Sequence, residues 1–316
     1  MTKLLIFLTL PEAVVDSYEQ ALKARFPDVH IQAVRERQAA AKAIADADIL
    51  LTFGPMMTDK VVQNAPRLKW IHALGTGLDG IIDLASLDPG VRISSTRGIH
   101  GAAMSEMAFL LMLALSRDFS RTLRNQDQAR WERWPAKLLD GKTVGILGIG
   151  LIAEDLAPRC KAFNMTVVGI SSTPRKVRGI DRFYPRNQLK KAAAELDYLV
   201  VLVPYGPDTR GIVDAGVFSA MKPGSYLINI ARGGVVNEDD LIQALSAGRI
   251  AGAGLDTFVQ EPLPPDHPFW KMENVVITAH LGGFYDAYVH KALPIVERNM
   301  RCFLNAEIDK MIYLER

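Results

Sequence analysis

Three residues in the last third of the chain have the right types for anion binding and proton transfer: Arg232, Glu261 and His280. Arg232 follows the apolar run Leu227-Ile-Asn-Ile-Ala231 and precedes Gly233 and Gly234. His280 follows Val275-Val-Ile-Thr-Ala279 and precedes Leu281-Gly282-Gly283, and Glu261 lies in the loop segment that follows Gly254-Leu-Asp256. A guanidinium binds and polarises an α-keto acid. An imidazole gives or takes an alcohol proton near neutral pH, and a carboxylate orients that imidazole and favours its protonated form. Taken singly, each has a structural reading: a surface cation, a loop carboxylate, a hydrogen-bonded core histidine. Placed after successive apolar strands, they are the parts needed to move a hydride to or from a keto carbon.

A cofactor site is predicted upstream. Thr143-Val-Gly-Ile-Leu-Gly148-Ile-Gly150-Leu151-Ile152-Ala153 reads as a buried strand, a glycine turn and a helix start. Gly148 allows the turn, Gly150 lets a pyrophosphate approach the backbone, and Ala153 is small enough for close helix–strand packing. The N–H groups at Leu151 and Ile152 and the positive helix end suit phosphate. The next strand, Val167–Ser171, runs into Ser172-Thr-Pro-Arg175-Lys176 where an NAD site usually carries Asp or Glu. Hydroxyls at Ser171 and Ser172 and two cations suit a 2′-phosphate, so NADP(H) is predicted in preference to NAD(H), the alternative cofactor.

The elements that must position these groups alternate along the whole chain. Strands are predicted at Leu4–Leu8, Ile31–Val34, Ile49–Phe53, Trp70–Leu74 and Val91–Ser94. A second series follows at Val144–Leu147, Thr166–Ile170, Tyr198–Val203, Tyr226–Ile230, Ala253–Phe258 and Val275–Thr278. Helical spacing separates them at Ala13–Arg25, Leu156–Phe163, Asn187–Leu196 and Asp239–Ala247, the last with Asn237 as N-cap. This order predicts an α/β fold with two Rossmann-like, doubly wound parallel sheets. One long helix is predicted over Met104–Trp131, leading into a charged arm that ends near Lys142, and a closing helix over Val289–Leu304 that packs back on the first domain.

Composition narrows the class. The 316 residues suit two domains, and 49% hydrophobic with 23% charged residues is ordinary for a globular protein. Lys and Arg total 37 against 35 Asp and Glu, a net charge of +2, so nothing argues for nucleic acid or an anionic membrane. Two cysteines, Cys160 and Cys302, make neither a disulfide framework nor a thiolate metal site, and a reducing cytoplasmic location is expected. No metal is expected. Leu4–Leu10 reads as a buried strand rather than a signal peptide, and the apolar run Met107–Leu115 is too short to span a bilayer.

The long motifs KTVGILGIG, KPGSYLINIARGGVVNEDDLIQAL, AGAGLDTFVQEPLP and HPFWKMENVVITAHLGG, in this order, resemble the D-isomer-specific 2-hydroxyacid dehydrogenases, the group that includes glyoxylate/hydroxypyruvate reductases. The resemblance covers essentially the whole chain. It implies that Arg232 binds substrate and polarises its carbonyl, that His280 is the acid/base, and that Glu261 is its partner. It implies that Asp256 fixes the nicotinamide carboxamide, and that Thr76, Gly77 and Leu78, in the loop Gly75–Asp79, hold the substrate carboxylate. Met104, Val203, Pro204, Thr209, Ile230, Ala231 and Gly282 take cofactor-lining positions. The implied domains are 1–103 with 284–316 for substrate, and 104–283 for the dinucleotide with an interdomain helix and dimerisation arm. A homodimer is implied, with Trp131 and Trp134 in the arm placed to reach a partner. Leu51, Phe53, His100 and Tyr205 are further pocket candidates. The chain departs from the family pattern at Ala153 (usually Gly), Ser171 (usually Asp) and Ala279 (usually Pro, which would stiffen the turn before His280). Rival readings are formate- or phosphite-type oxidation on the same scaffold, disfavoured by an acid/base pair suited to an alcohol proton, and a non-enzymatic cofactor sensor, disfavoured by the intact Arg, Glu and His.

Overall fold

A computed structural model of the protein describes residues 1–315. The chain divides into two compact units, Met1–Ile99 together with the chain from Asp286 on, and His100–Tyr285.

In the first unit, strands β1 (Lys3–Phe7), β2 (His30–Val34), β3 (Ile49–Thr52), β4 (Trp70–Ala73) and β5 (Arg92–Ser95) form one parallel sheet in the order β2-β1-β3-β4-β5. The apolar runs of the inner strands β3 and β4 are continuous because both faces are covered: they are buried at every position. One face buries Leu5, Phe7, Leu50, Ile71 and Ile93 in a common core. The helix Tyr288–Leu304 buries Tyr288, Ala292, Val296 and Met300, a stripe of every fourth residue. It packs against the helix Glu12–Arg25 within this unit. His72 on β4 is fully buried, with Nδ1 2.7 Å from Ser94 Oγ and Nε2 2.9 Å from Thr96 Oγ1. Burial holds its pKa down at about 3, so the ring is neutral.

The second unit holds seven parallel strands: β6 (Thr143–Leu147), β7 (Thr166–Ser171), β8 (Arg182–Pro185), β9 (Tyr198–Val201), β10 (Tyr226–Asn229), β11 (Gly252–Leu255) and β12 (Val275–Ile277). Their order is β12-β11-β10-β9-β6-β7-β8. The order reverses between β6 and β9, and open α/β sheets bind ligands beyond the strand ends at such a point. Alternate residues feed two cores: Ile146, Val167, Val200 and Ile228 face one, and Leu147, Val168, Val201 and Leu227 the other. The helix Gly101–Ser116 lies on the first of these faces, across β10, β11 and β12. The glycines of β11 let it come close: a Cβ on Gly254 would stand 2.7 Å from Leu111 Cβ.

The expected single helix over Met104–Trp131 is instead two, Gly101–Ser116 and Phe119–Asp127. Asp118, at φ 52°, breaks them; Asp adopts this left-handed conformation more readily than most residues. The arm beyond Gln128 has no regular structure up to Leu138. Two short elements escaped the hydrophobic pattern: β8, whose residues are only partly buried or exposed, and the six-residue helix Ala215–Ala220, capped by Asp214. Asn237 caps the helix Glu238–Ser246, accepting the Asp240 N–H at 3.1 Å. No helix among the described residues is long and apolar enough to cross a membrane.

Candidate active site

Three neighbouring parallel strands deliver the chemical groups of the second unit. Asn229, Leu255 and Ile277 are paired across β10, β11 and β12. Arg232 lies three residues past the first and His280 three past the last, so both leave the same end of the sheet. Glu261 belongs to the loop that follows β11. That loop returns to place its Oε2 2.8 Å from His280 Nδ1. A carboxylate only accepts, so Nδ1 carries the proton of this contact and Nε2 is left for chemistry. Both side chains are about one-third exposed, at 35% for His280 and 33% for Glu261, so the pair is reachable from outside.

The electrostatics follow from the contacts. Burial pushes the Glu261 carboxyl up, but the hydrogen bond from His280, the Phe258 N–H and the charges of His280 and Arg232 outweigh it. The net result holds Glu261 below the usual carboxylate range. His100, buried just before the helix Gly101–Ser116, is lowered to about 4 by its burial and then by the Arg232 charge, which makes it a neutral imidazole on the same side of this unit. A Cβ added to Gly283 would stand 3.3 Å from His100 Cδ2, so the ring also lies against the loop that carries His280.

The turn holding His280 is built on Asp256. This residue is 1% exposed and its carboxylate accepts from Thr278 Oγ1 at 2.6 Å, Leu281 N at 2.8 Å and Gly282 N at 2.9 Å. Its carbonyl takes the His280 N–H at 2.8 Å. These four bonds hold His280 at φ 53°, a conformation a β-carbon disfavours. Ala279 lies inside this bonded turn, between Thr278 and His280. Met104 packs on the same turn, its sulfur 3.1 Å from where a Gly282 Cβ would be.

Arg232 is held by a second device that sequence reasoning passed over. Asn229, 1% exposed at the end of β10, accepts the Ala231 N–H at 3.2 Å and donates to the Arg232 carbonyl at 3.0 Å. Arg232 Nη1 donates to the Ala231 carbonyl at 2.7 Å, which braces the guanidinium against its own strand end. A polar residue inside an otherwise apolar strand was the available signal. Ile230 and Ala231 are buried beside it.

The glycine turn lies at the reversal of strand order. Gly148 has φ 107°, and a Cβ there would stand 2.7 Å from Val203 N. Gly150 caps the helix Leu151–Ala162, and a Cβ added to it would meet nothing within 4 Å. Open space before a helix N-terminus, with Ala153 fully buried behind it, fits a dinucleotide pyrophosphate. Leu151 is exposed and Ile152 half-buried. Val203 is buried, Pro204 exposed, and the Thr209 hydroxyl donates to the Pro204 carbonyl at 2.6 Å, which closes the loop between them. At the end of β7, Ser171 Oγ donates to the Thr173 carbonyl at 3.0 Å. Ser172 and Lys176 are exposed, and Arg175 pairs with Glu154 of the helix after the glycines.

The other candidates belong to the first unit or serve locally. Thr76, Gly77 and Leu78 belong to the first unit, on the loop after β4, where Asp79 and Gly80 pack on Gly54. Leu51 is buried within β3 of that unit, and Phe53 tilts against Tyr288 at 6.1 Å. Tyr205 stands over Gly234, 2.6 Å from where its Cβ would be. In the arm, Trp131 is 93% exposed, whereas Trp134 already packs under Arg121 of its own chain at 4.5 Å. Among the described residues no cluster of His, Cys, Asp and Glu could hold a metal ion.

Residues 109–282 match the D-isomer specific 2-hydroxyacid dehydrogenase NAD-binding domain. The chain is 36% identical over 245 residues to a glyoxylate/hydroxypyruvate reductase A of Serratia proteamaculans, covering 75% of this chain and 77% of that one. Among solved structures, a D-isomer specific 2-hydroxyacid dehydrogenase family protein from Aeromonas salmonicida matches with a TM-score of 0.89 and 31% identity over 100% of this chain and 99% of that one. An NADPH-dependent glyoxylate/hydroxypyruvate reductase from Sinorhizobium meliloti, solved with NADP and sulfate, matches with a TM-score of 0.86 and 25% identity over 99% and 98% of the two chains.

Proposed function

This chain belongs to the D-isomer-specific 2-hydroxyacid dehydrogenases, NAD(P)-dependent oxidoreductases of small 2-keto and 2-hydroxy acids, and we propose that it reduces glyoxylate or hydroxypyruvate with NADPH, using His280 as proton donor. The observation that carries this reading is the 2.8 Å contact between His280 Nδ1 and Glu261 Oε2 beside Arg232, at the ends of adjacent strands.

Arg232 binds the acid and draws electron density toward the keto oxygen. A bound nicotinamide supplies the hydride to the keto carbon. His280, as the imidazolium, gives its Nε2 proton to the oxygen that becomes the alcohol, and is left neutral with Nδ1–H still bonded to Glu261. Glu261 keeps its charge throughout and holds the ring in one orientation. Asp256 fixes the turn that aims the ring, and the resemblance would also give it the carboxamide of a bound cofactor to hold. The glycine turn would hold the pyrophosphate of a bound cofactor, and Met104, Val203, Pro204, Thr209, Ile230, Ala231 and Gly282 would line it. The resemblance assigns the Thr76–Leu78 backbone of the first unit to the acid's carboxylate.

NADPH is favoured over NADH because β7 ends at Ser171 and runs into Ser172, Arg175 and Lys176, with no Asp or Glu at this strand end. A homodimer formed through the arm accounts for the exposure of Leu110, Phe119, Leu123, Trp131 and Leu138, all in the 101–138 stretch. A reducing cytoplasmic location suits the two buried free cysteines.

The test is a panel of glyoxylate, hydroxypyruvate and pyruvate with NADPH and with NADH, run on wild type and His280→Gln. The expected result is turnover of the first two acids with NADPH and a loss of about 100- to 10,000-fold in the variant, with NADPH binding retained. Turnover in the variant equal to wild type removes the role of His280; equal use of NADH removes the cofactor preference.

A further inference from the structure

Glu261 can act on His280 only if its loop is held in register, and the hold comes from outside the loop. The Phe258–Val259 peptide rests on Gly233, the residue after Arg232: a Cβ on Gly233 would collide with the Phe258 carbonyl carbon and with Val259 N. From another side, Glu238 Oε1 accepts the Val259 N–H at 2.8 Å, while the Phe258 N–H goes to Glu261 Oε1 at 2.9 Å. Two successive peptide N–H groups are thus taken by two different carboxylates, one belonging to the acid/base pair and one not. Glu238 is itself braced. Its other oxygen lies 3.8 Å from His267 Nε2. His267 Nδ1 accepts the Phe269 N–H at 3.3 Å, which leaves Nε2 to carry the proton toward Glu238. The ring of His267 packs on Phe269, and Phe269 on Phe258, so the same aromatic cluster supports the loop from beneath. The charged or titratable groups that face this loop are Arg232, His280, Glu238 and His267.

We propose that Glu238 is a positioning residue for the reduction: by holding the Val259 N–H it sets the Phe258–Glu261 turn and thereby the carboxylate that grips His280. The inference rests on the reading of His280 and Glu261 as the acid/base pair. The competing role for Glu238 is favourable charge in the first turn of the helix Glu238–Ser246, which Asp239 and Asp240 share. The two roles respond oppositely to glutamine, which keeps the acceptor oxygen and removes the charge.

The experiment is steady-state kinetics with glyoxylate and NADPH on Glu238→Ala, Glu238→Gln, Glu261→Ala and the double alanine variant. Glu238→Ala is expected to lower kcat about tenfold, a loss typical of a misplaced group, with KM for NADPH little changed. Glu238→Gln is expected to recover most of that loss. The double variant is expected to be no slower than Glu261→Ala, because both substitutions remove one function. Glu238→Met, similar in length but without an acceptor, replaces the alanine variant if that fails to fold, with the same expectation. Wild-type kcat in Glu238→Ala, a glutamine variant as slow as the alanine one, or losses that multiply in the double variant each overturn the proposal. If Glu261→Ala itself is unimpaired, the acid/base reading falls first and this inference with it; if Glu261→Ala is slow and Glu238→Ala is not, this inference alone falls.

Discussion

Glu261 is held below the ordinary carboxylate range despite its burial, because His280, the Phe258 N–H and Arg232 all favour its charged form. It therefore stays ionised as pH falls to its ordinary value of 4.5 and protonates only below that. The acidic limb of kcat/KM that reports Glu261 is expected below pH 4.5; a limb at higher pH that vanishes in Glu261→Gln would contradict this. Asp256 is more deeply buried, with three donors on one carboxylate. Asp256→Ala leaves the hydroxyl of Thr278 and two loop N–H groups without their acceptor and is expected to cost about 1–3 kcal/mol per unsatisfied group at most. The measurement is denaturant unfolding beside kcat, and unchanged stability would mean water replaces the carboxylate. At this scale the sequence was informative where chemistry is local. Arg232, Glu261 and His280 stand out by type and by the apolar runs before them. Asn229 and Glu238 did not, because what they do depends on which backbone groups the fold brings to them.

Among the elements, the sheets were legible because buried parallel strands are continuous apolar runs, and most predicted strands start or end within two residues of the observed ones. The misses have separate causes. β8 is an edge strand with little burial, so its residues carry no apolar signature. The break at Asp118 depends on one residue's backbone conformation, which periodicity does not register. Two glycines test how tightly the elements must approach. Gly254→Ala drives a methyl into Leu111 of the covering helix and is expected to cost about 1–3 kcal/mol in unfolding free energy. Gly233→Ala drives one into the Phe258–Val259 peptide and should reduce kcat more than it reduces stability, because the displaced loop carries Glu261. Circular dichroism melts and kinetics on the same two samples separate these outcomes; a Gly233→Ala enzyme with wild-type kcat would show that the loop yields without consequence.

For the molecule as a whole, each unit buries one neutral histidine, His72 at about 3 in the first and His100 at about 4 in the second. Unfolded, both would take a proton near pH 6.5. Between that pH and their folded values, the unfolded chain binds more protons than the native one. Stability present above pH 6.5 is therefore lost progressively as pH falls toward 4, by at most about 1.4 kcal/mol per pH unit for each histidine. Thermal unfolding followed from about pH 7 to about pH 4.5 is expected to show this slope, and His72→Gln should flatten it. A melting temperature constant across that window would mean the two rings titrate normally in the native state.

The two glycines of the phosphate turn can be used against each other. Gly148 is locked by its own backbone angle and by Val203, so any side chain there should damage the turn whether or not a nucleotide is present. At Gly150 the backbone is extended and the room is empty, so valine should fold normally while filling the volume a diphosphate would occupy. Such a variant would be a nucleotide-blind reagent, a folded control for separating what the cofactor contributes to assembly or ligand capture from what the polypeptide achieves unaided.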